Sequence, residues 1–215
     1  MKVVSKGSLT LAIAVLMAVP VLAASSADQA EKVAAKMLNF DKALSQTSGQ
    51  IDATLASMNA LGGSSGSDLA SKYKEFSGNV KKLQSMADKA KDRSQQSAAT
   101  REQYLKQWEA SQGKIQNEQL KAASEARRNE LMPKIDAIKT SLGSAKETFG
   151  PFMQDLNDLV LYLGNNLTPE GITGAGDLMK KCNTDGEKVK SDIATGQASV
   201  KDLAASISPT VAKAK

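Results

Sequence analysis

Asp155 and Asp158 stand three residues apart, a spacing that puts two carboxylates on one side of a helix within reach of one divalent cation. No third or fourth ligand follows nearby, so the pair reads as solvated surface carboxylates. Histidine is absent throughout the chain. That removes histidine-dependent hydrolytic triads, the usual zinc sites and the commonest general base near neutral pH. Cys182 is the one cysteine; it has no partner for an internal disulfide and is expected either to be buried or to bridge two chains, with burial favoured. The glycine-rich "GGSSGS" at 62–67 lacks a following Gly-Lys-Ser/Thr, so it reads as a linker and not as a phosphate-cradling loop. No enzyme and no cofactor are expected. Arg127 and Arg128, like Lys180 and Lys181, are adjacent cations able to touch phosphate or to sit exposed. Trp108, the sole tryptophan, lies one turn from Tyr104. It either anchors a partner or fills a helix seam. Tyr104, Trp108, Arg127 and Arg128 are the candidate partner-contact residues.

These groups must be held by helices. Aromatic residues make up 4% and hydrophobic residues 41% of the 215 residues, and alanine is the commonest apolar type. Such a composition builds a thin core spread along helices, and few β-branched or aromatic runs are present to build a sheet. The expected class is all-α: an elongated antiparallel helical bundle or coiled coil with a long, kinked central helix.

The first residues, "MKVVSKGSLTLAIAVLMAVPVLAASS", carry Lys2 and Lys6 ahead of an apolar run from Leu11 to Val21 and end in Val21-Leu22-Ala23. This is the pattern of a secretory signal over 1–23. The apolar run is shorter than the roughly 20 residues that a membrane-spanning helix needs, so no transmembrane span is expected in the mature chain. No cysteine stands at the cleavage point for lipid attachment. The mature domain, 24–215, is therefore expected in a bacterial periplasm. Loss of Lys2 and Lys6 lowers the formal charge from +5 by two. The remaining charges are interspersed, which disfavours nucleic acid as a partner and leaves anionic lipid headgroups compatible.

Apolar residues spaced alternately four and three apart mark the seams. A first helix over 26–61 carries Val33, Met37, Phe40, Leu44, Ile51 and Met58, with Thr47 and Thr54 in phase. After the 62–67 break, a helical region over 68–165 begins with Leu69, Tyr73, Phe76, Val80 and Leu83. Its seam turns small and polar through Ala87, Ala90, Ser94, Ser97 and Arg101, recovers at Tyr104, Trp108 and Ile115, and slips before Leu131. From there it runs strictly from Leu131 through Ile135, Ile138 and Phe152 to Leu163, keeping phase past Pro133 and Pro151. The greasy "LVLYL" at 159–163 thus reads as part of a packing seam. A last helix over 168–207 starts at Thr168-Pro169-Glu170 and carries Met179, Cys182, Val189, Ile193, Val200 and Leu203, leaving a frayed tail at 208–215.

Unbroken, the 68–165 region would be about 150 Å long at roughly 1.5 Å per residue. Two architectures satisfy the seams. In one, a continuous central helix is flanked at its ends by shorter antiparallel partners. In the other, the chain reverses near Gln112-Gly113 into a four-helix bundle. A single glycine without proline is a weak turn signal, so the continuous helix is the expectation.

"DLASKYKEF", "QYLKQWEAS", "GPFMQDLNDLVLYLGNNL" and "VKSDIATGQASVKDL" together resemble the domain of unknown function 2959 family, over most of the mature chain. The resemblance implies an exported, elongated helical protein of the bacterial envelope. It places a tryptophan in the middle of the long helical region (Trp108), a proline ahead of a hydrophobic run (Pro151), and an Asn-Leu pair (Asn166-Leu167). It implies no activity and no catalytic residues, and this lysine-rich chain departs from the family's more acidic, glutamate-rich pattern. The function expected is a non-catalytic periplasmic coiled-coil protein acting through protein–protein contacts or self-association. The alternative is a holdase-like periplasmic chaperone or a protein that binds the envelope surface.

Overall fold

Leu131, Leu156, Leu159 and Leu163, spaced to fall on one helical face, all lie buried along a single helix; the first and last seams are buried in the same way, and the second is buried at Leu69, Phe76, Val80, Leu83, Ala90 and Ser97. The computed structural model describes the backbone of residues 20–208 and 210, with side chains from 27 onward. The expected signal segment, 1–23, lies almost wholly outside the described residues, as does most of the 208–215 tail. Four α-helices are described: α1, Pro20–Gly62; α2, Leu69–Gln112; α3, Glu118–Asn165; and α4, Pro169–Ile207. No helix among the described residues is long and apolar enough to cross a membrane.

The expected continuous helix is not present. The chain reverses between Gln112 and Glu118, and two helices replace one. Gly113 closes α2, its N–H donating back to the Glu109 carbonyl at 3.2 Å. Asn117 then opens α3, its side chain accepting the Leu120 N–H at 3.0 Å. A glycine stop followed four residues later by an asparagine cap is a helix-end signal, and the register slip before Leu131 is its trace in the seam. The two prolines do not end α3, which passes through both Pro133 and Pro151. Each proline removes one backbone hydrogen bond, and the buried residues on either side (Leu131 and Ile135, Phe152 and Leu156) hold the phase.

The four helices run alternately up and down. On α1 and α4, Asn59 meets Asn183 through two amide hydrogen bonds, Asp52 meets Lys190 at 2.6 Å, and Asp41 meets Lys201 at 3.4 Å. Numbers fall on one helix as they rise on the other, so the pair is antiparallel. The same holds for α3 and α4, where Thr148 donates to Asp192 at 2.9 Å and Lys134 pairs with Asp202 at 2.8 Å. Between α1 and α2, Gln50 donates to the Asn79 side chain at 3.1 Å. Helices α2 and α3 touch more sparsely, chiefly near their ends, where the Tyr73 hydroxyl donates to the Val160 carbonyl at 3.0 Å and Trp108 reaches Ser124. These polar contacts fix register. The stabilisation comes from the seams, at about 1.5–3 kcal/mol for each large apolar side chain fully buried.

Close approach at the α3–α4 corner requires glycine. A Cβ on Gly171 would stand 1.9 Å from the Asn166 carbonyl oxygen, an approach that no other residue allows. Thr168 caps α4 there, accepting the Gly171 N–H at 3.1 Å.

Candidate functional site

The reversal brings together residues that the sequence holds apart. Tyr104 and Trp108, one turn apart on α2, pack edge to face with ring centroids 5.7 Å apart and planes at 64°. The Trp108 indole N–H crosses to α3 and donates to the Ser124 hydroxyl at 2.8 Å. One turn further along α3, Arg127 donates to Glu130 at 2.7 Å and also to the backbone carbonyl of Ser206, which ties α3 to the end of α4. The Arg128 Nε is buried and donates to no partner among the described residues. Burial raises the Tyr104 hydroxyl pKa, opposed by the nearby positive charge of Arg127. Burial alone lowers that of Arg101, one turn away on α2. Tyr104, Trp108, Arg127 and Arg128 therefore form one neighbourhood at the α2–α3 end of the bundle.

The sequence left Trp108 either free for a partner or part of a seam. The structure makes it half-buried, packed against the core together with Tyr104 and Leu105, with its one polar group satisfied internally. The apolar residue most available at this end is one that sequence reasoning missed. Leu120, in the first turn of α3, is 62% exposed. It stands off every seam, and an apolar side chain outside the packing pattern is the signal that marks it. From Ala98 to Glu130 no described side chain is fully buried, whereas Ser97 and Leu131, which bracket this stretch, both are.

The other candidates are engaged elsewhere. Asp155 and Asp158 do not converge on a common point. Asp155 pairs with Lys181, which also holds Asp185 at 2.7 Å, while Asp158 accepts the Gln154 amide at 2.9 Å. Those two hydrogen bonds raise the Lys181 pKa. Lys180 pairs with Asp177 at 2.9 Å. No cluster of three or more histidine, cysteine, aspartate or glutamate side chains suited to a metal occurs among the described residues. Cys182 is fully buried on the α4 seam, and burial, with Asp155 and Asp185 adding negative charge nearby, pushes its thiol pKa up to about 12. A thiol held in that state is a poor nucleophile.

No curated protein and no solved structure matches this chain. A family model described as a protein of unknown function, DUF2959, matches residues 27–208, from the first described side chains of α1 to the residue after α4. The match spans all four seams and the α2–α3 end alike, and the chain belongs to the domain of unknown function 2959 family.

Proposed function

We propose that this chain is a non-catalytic protein of the periplasm that acts through protein–protein contacts made at the α2–α3 end of its bundle. The observation that supports this reading is the uncovered stretch between Ser97 and Leu131, where Tyr104, Leu105, Trp108 and Ile115 are only half-buried and Leu120 stands largely in water. On α1, on α3 from Leu131 onward and on α4 a seam residue is buried about once per turn. Half-covered aromatic and aliphatic side chains at one end of a well-packed rod are the composition of a contact surface. The export pattern of the first 23 residues and the even spread of charge support the compartment and argue against nucleic acid.

The test is site-specific photo-crosslinking in the cell that makes the protein, with the probe placed at Leu120 or Gln119, and at Lys188 on α4 as a control. A discrete adduct from the α2–α3 positions, and none from Lys188, is the expected result. Adducts of equal yield from both faces, or none from either, would remove the reading. The same apolar stretch also supports a holdase-like role, in which unfolded chains are the partner. Suppression of the aggregation of an unfolded outer-membrane protein, lost on Leu120→Asp, would favour that alternative.

A further inference from the structure

A furrow of about 430 Å³ lies between α1 and α2, lined by Asn39, Lys42, Ala43 and Gln46 on one side and Lys89, Asp92, Arg93 and Gln96 on the other. Its origin is in the seam. Where α2 passes through Ala90, Ser94 and Ser97, the side chains are too short to fill the space between the helices, and Ala43 opposite is equally short. Long polar side chains from the flanking positions rise on both sides and make the walls.

The charge on those walls is unbalanced. Lys42, Lys89 and Arg93 face one carboxylate, Asp92, for a net charge of two positive. None of the three cations is in an ion pair with any described residue, and Arg93 donates only to the neutral amide of Gln96, at 3.3 Å. Among the described residues, Lys134, Lys139, Lys180, Lys181, Lys190 and Lys201 each hold a carboxylate, whereas the cations of the furrow, like other exposed lysines such as Lys74 and Lys188, do not. Three cations sharing a concave wall repel one another, and that cost is relieved by an anion seated among them. The wall also carries three side-chain amides, at Asn39, Gln46 and Gln96, and only Ala43 is apolar. Such a lining rejects a greasy ligand and accepts a polar one.

We infer that this furrow binds a phosphate monoester. A net charge of two positive complements the dianion of a phosphate monoester and overcompensates a single carboxylate. The guanidinium of Arg93 offers the paired donors that match phosphate oxygens, with Lys42 and Lys89 as flanking point charges. The phosphate is either that of a soluble metabolite or that of a lipid headgroup, and the open mouth of the furrow admits both.

The test uses the full-length mature chain at constant ionic strength. Glycerol 3-phosphate is titrated by calorimetry with chloride as the reference anion, and vesicles with and without phosphatidic acid are compared by flotation. Binding of the soluble ester alone assigns the furrow to a metabolite, and flotation with phosphatidic acid vesicles assigns it to a headgroup. In either case Arg93→Gln weakens binding about tenfold or more, the loss expected on removing a charge-assisted hydrogen bond. Lys188→Gln, on α4, leaves binding unchanged. These side chains are exposed, so the variants retain their helicity, and circular dichroism checks it. Two results would overturn the inference: neither probe bound above the chloride and plain-vesicle references, or binding by Arg93→Gln equal to that of the parent.

Discussion

Cys182 shows how a residue with chemical potential is made inert by its position. It lies on the α4 seam, fully buried, and burial raises its thiol pKa to about 12. In the unfolded chain the thiol ionises near its ordinary value of 9.0. The folded state therefore keeps its proton where the unfolded state gives it up. Its contribution to stability is complete below pH 9 and is lost as pH rises from there through about 12. Two outcomes follow. At pH 8 an aromatic disulfide reagent labels Cys182 slowly in the native protein and rapidly in urea, and denaturation midpoints fall between pH 9 and 11 less steeply for Cys182→Ala than for the parent. Fast labelling of the native protein would place Cys182 at the surface. Its burial was legible in the sequence because Cys182 keeps phase with Met179 and Val189. The Lys181–Asp155 pair was not legible, because its partners sit on different helices 26 positions apart.

Among the elements, the reversal between α2 and α3 decides the architecture, and it was the feature hardest to read. Gly113 and Asn117 are ordinary helix-end residues, but only five residues separate the two helices and heptad-like spacing continues on both sides. Local sequence therefore supports either outcome, and the tertiary contacts select one. The seams themselves were legible, because a four-three alternation specifies which face is buried whatever the partner helix is. Which helix faces which was not, and so neither the gathering of Tyr104, Trp108, Arg127 and Arg128 nor the furrow beside Ala43 followed from spacing. Asn117→Ala tests the turn directly. Loss of the cap to the Leu120 N–H costs about 1 kcal/mol of stability. Denaturant unfolding reads it as a lower midpoint with an unchanged slope, whereas an unchanged midpoint would mean that Asn117 does not hold the turn.

The molecule as a whole is a rod whose interior is filled by side chains from four antiparallel helices of 43, 44, 48 and 39 residues. At about 1.5 Å per residue each helix spans some 60–70 Å. The long seams leave chemistry to the surfaces: an apolar end where α2 turns into α3, and a cationic furrow where α1 and α2 have only small residues between them. The apolar end depends on the chain doubling back between α2 and α3, whereas the furrow depends only on the pairing of α1 with α2. The most direct measurement is an electron–electron distance between spin labels on Lys74 of α2 and Asn157 of α3, introduced as cysteines in a Cys182→Ala background. Neighbouring antiparallel helices with axes about 8–10 Å apart place the two labels on the order of 20–30 Å from each other. A separation near 120 Å, the length of an unbroken helix between those positions at roughly 1.5 Å per residue, would contradict the bundle and the apolar α2–α3 surface built on it.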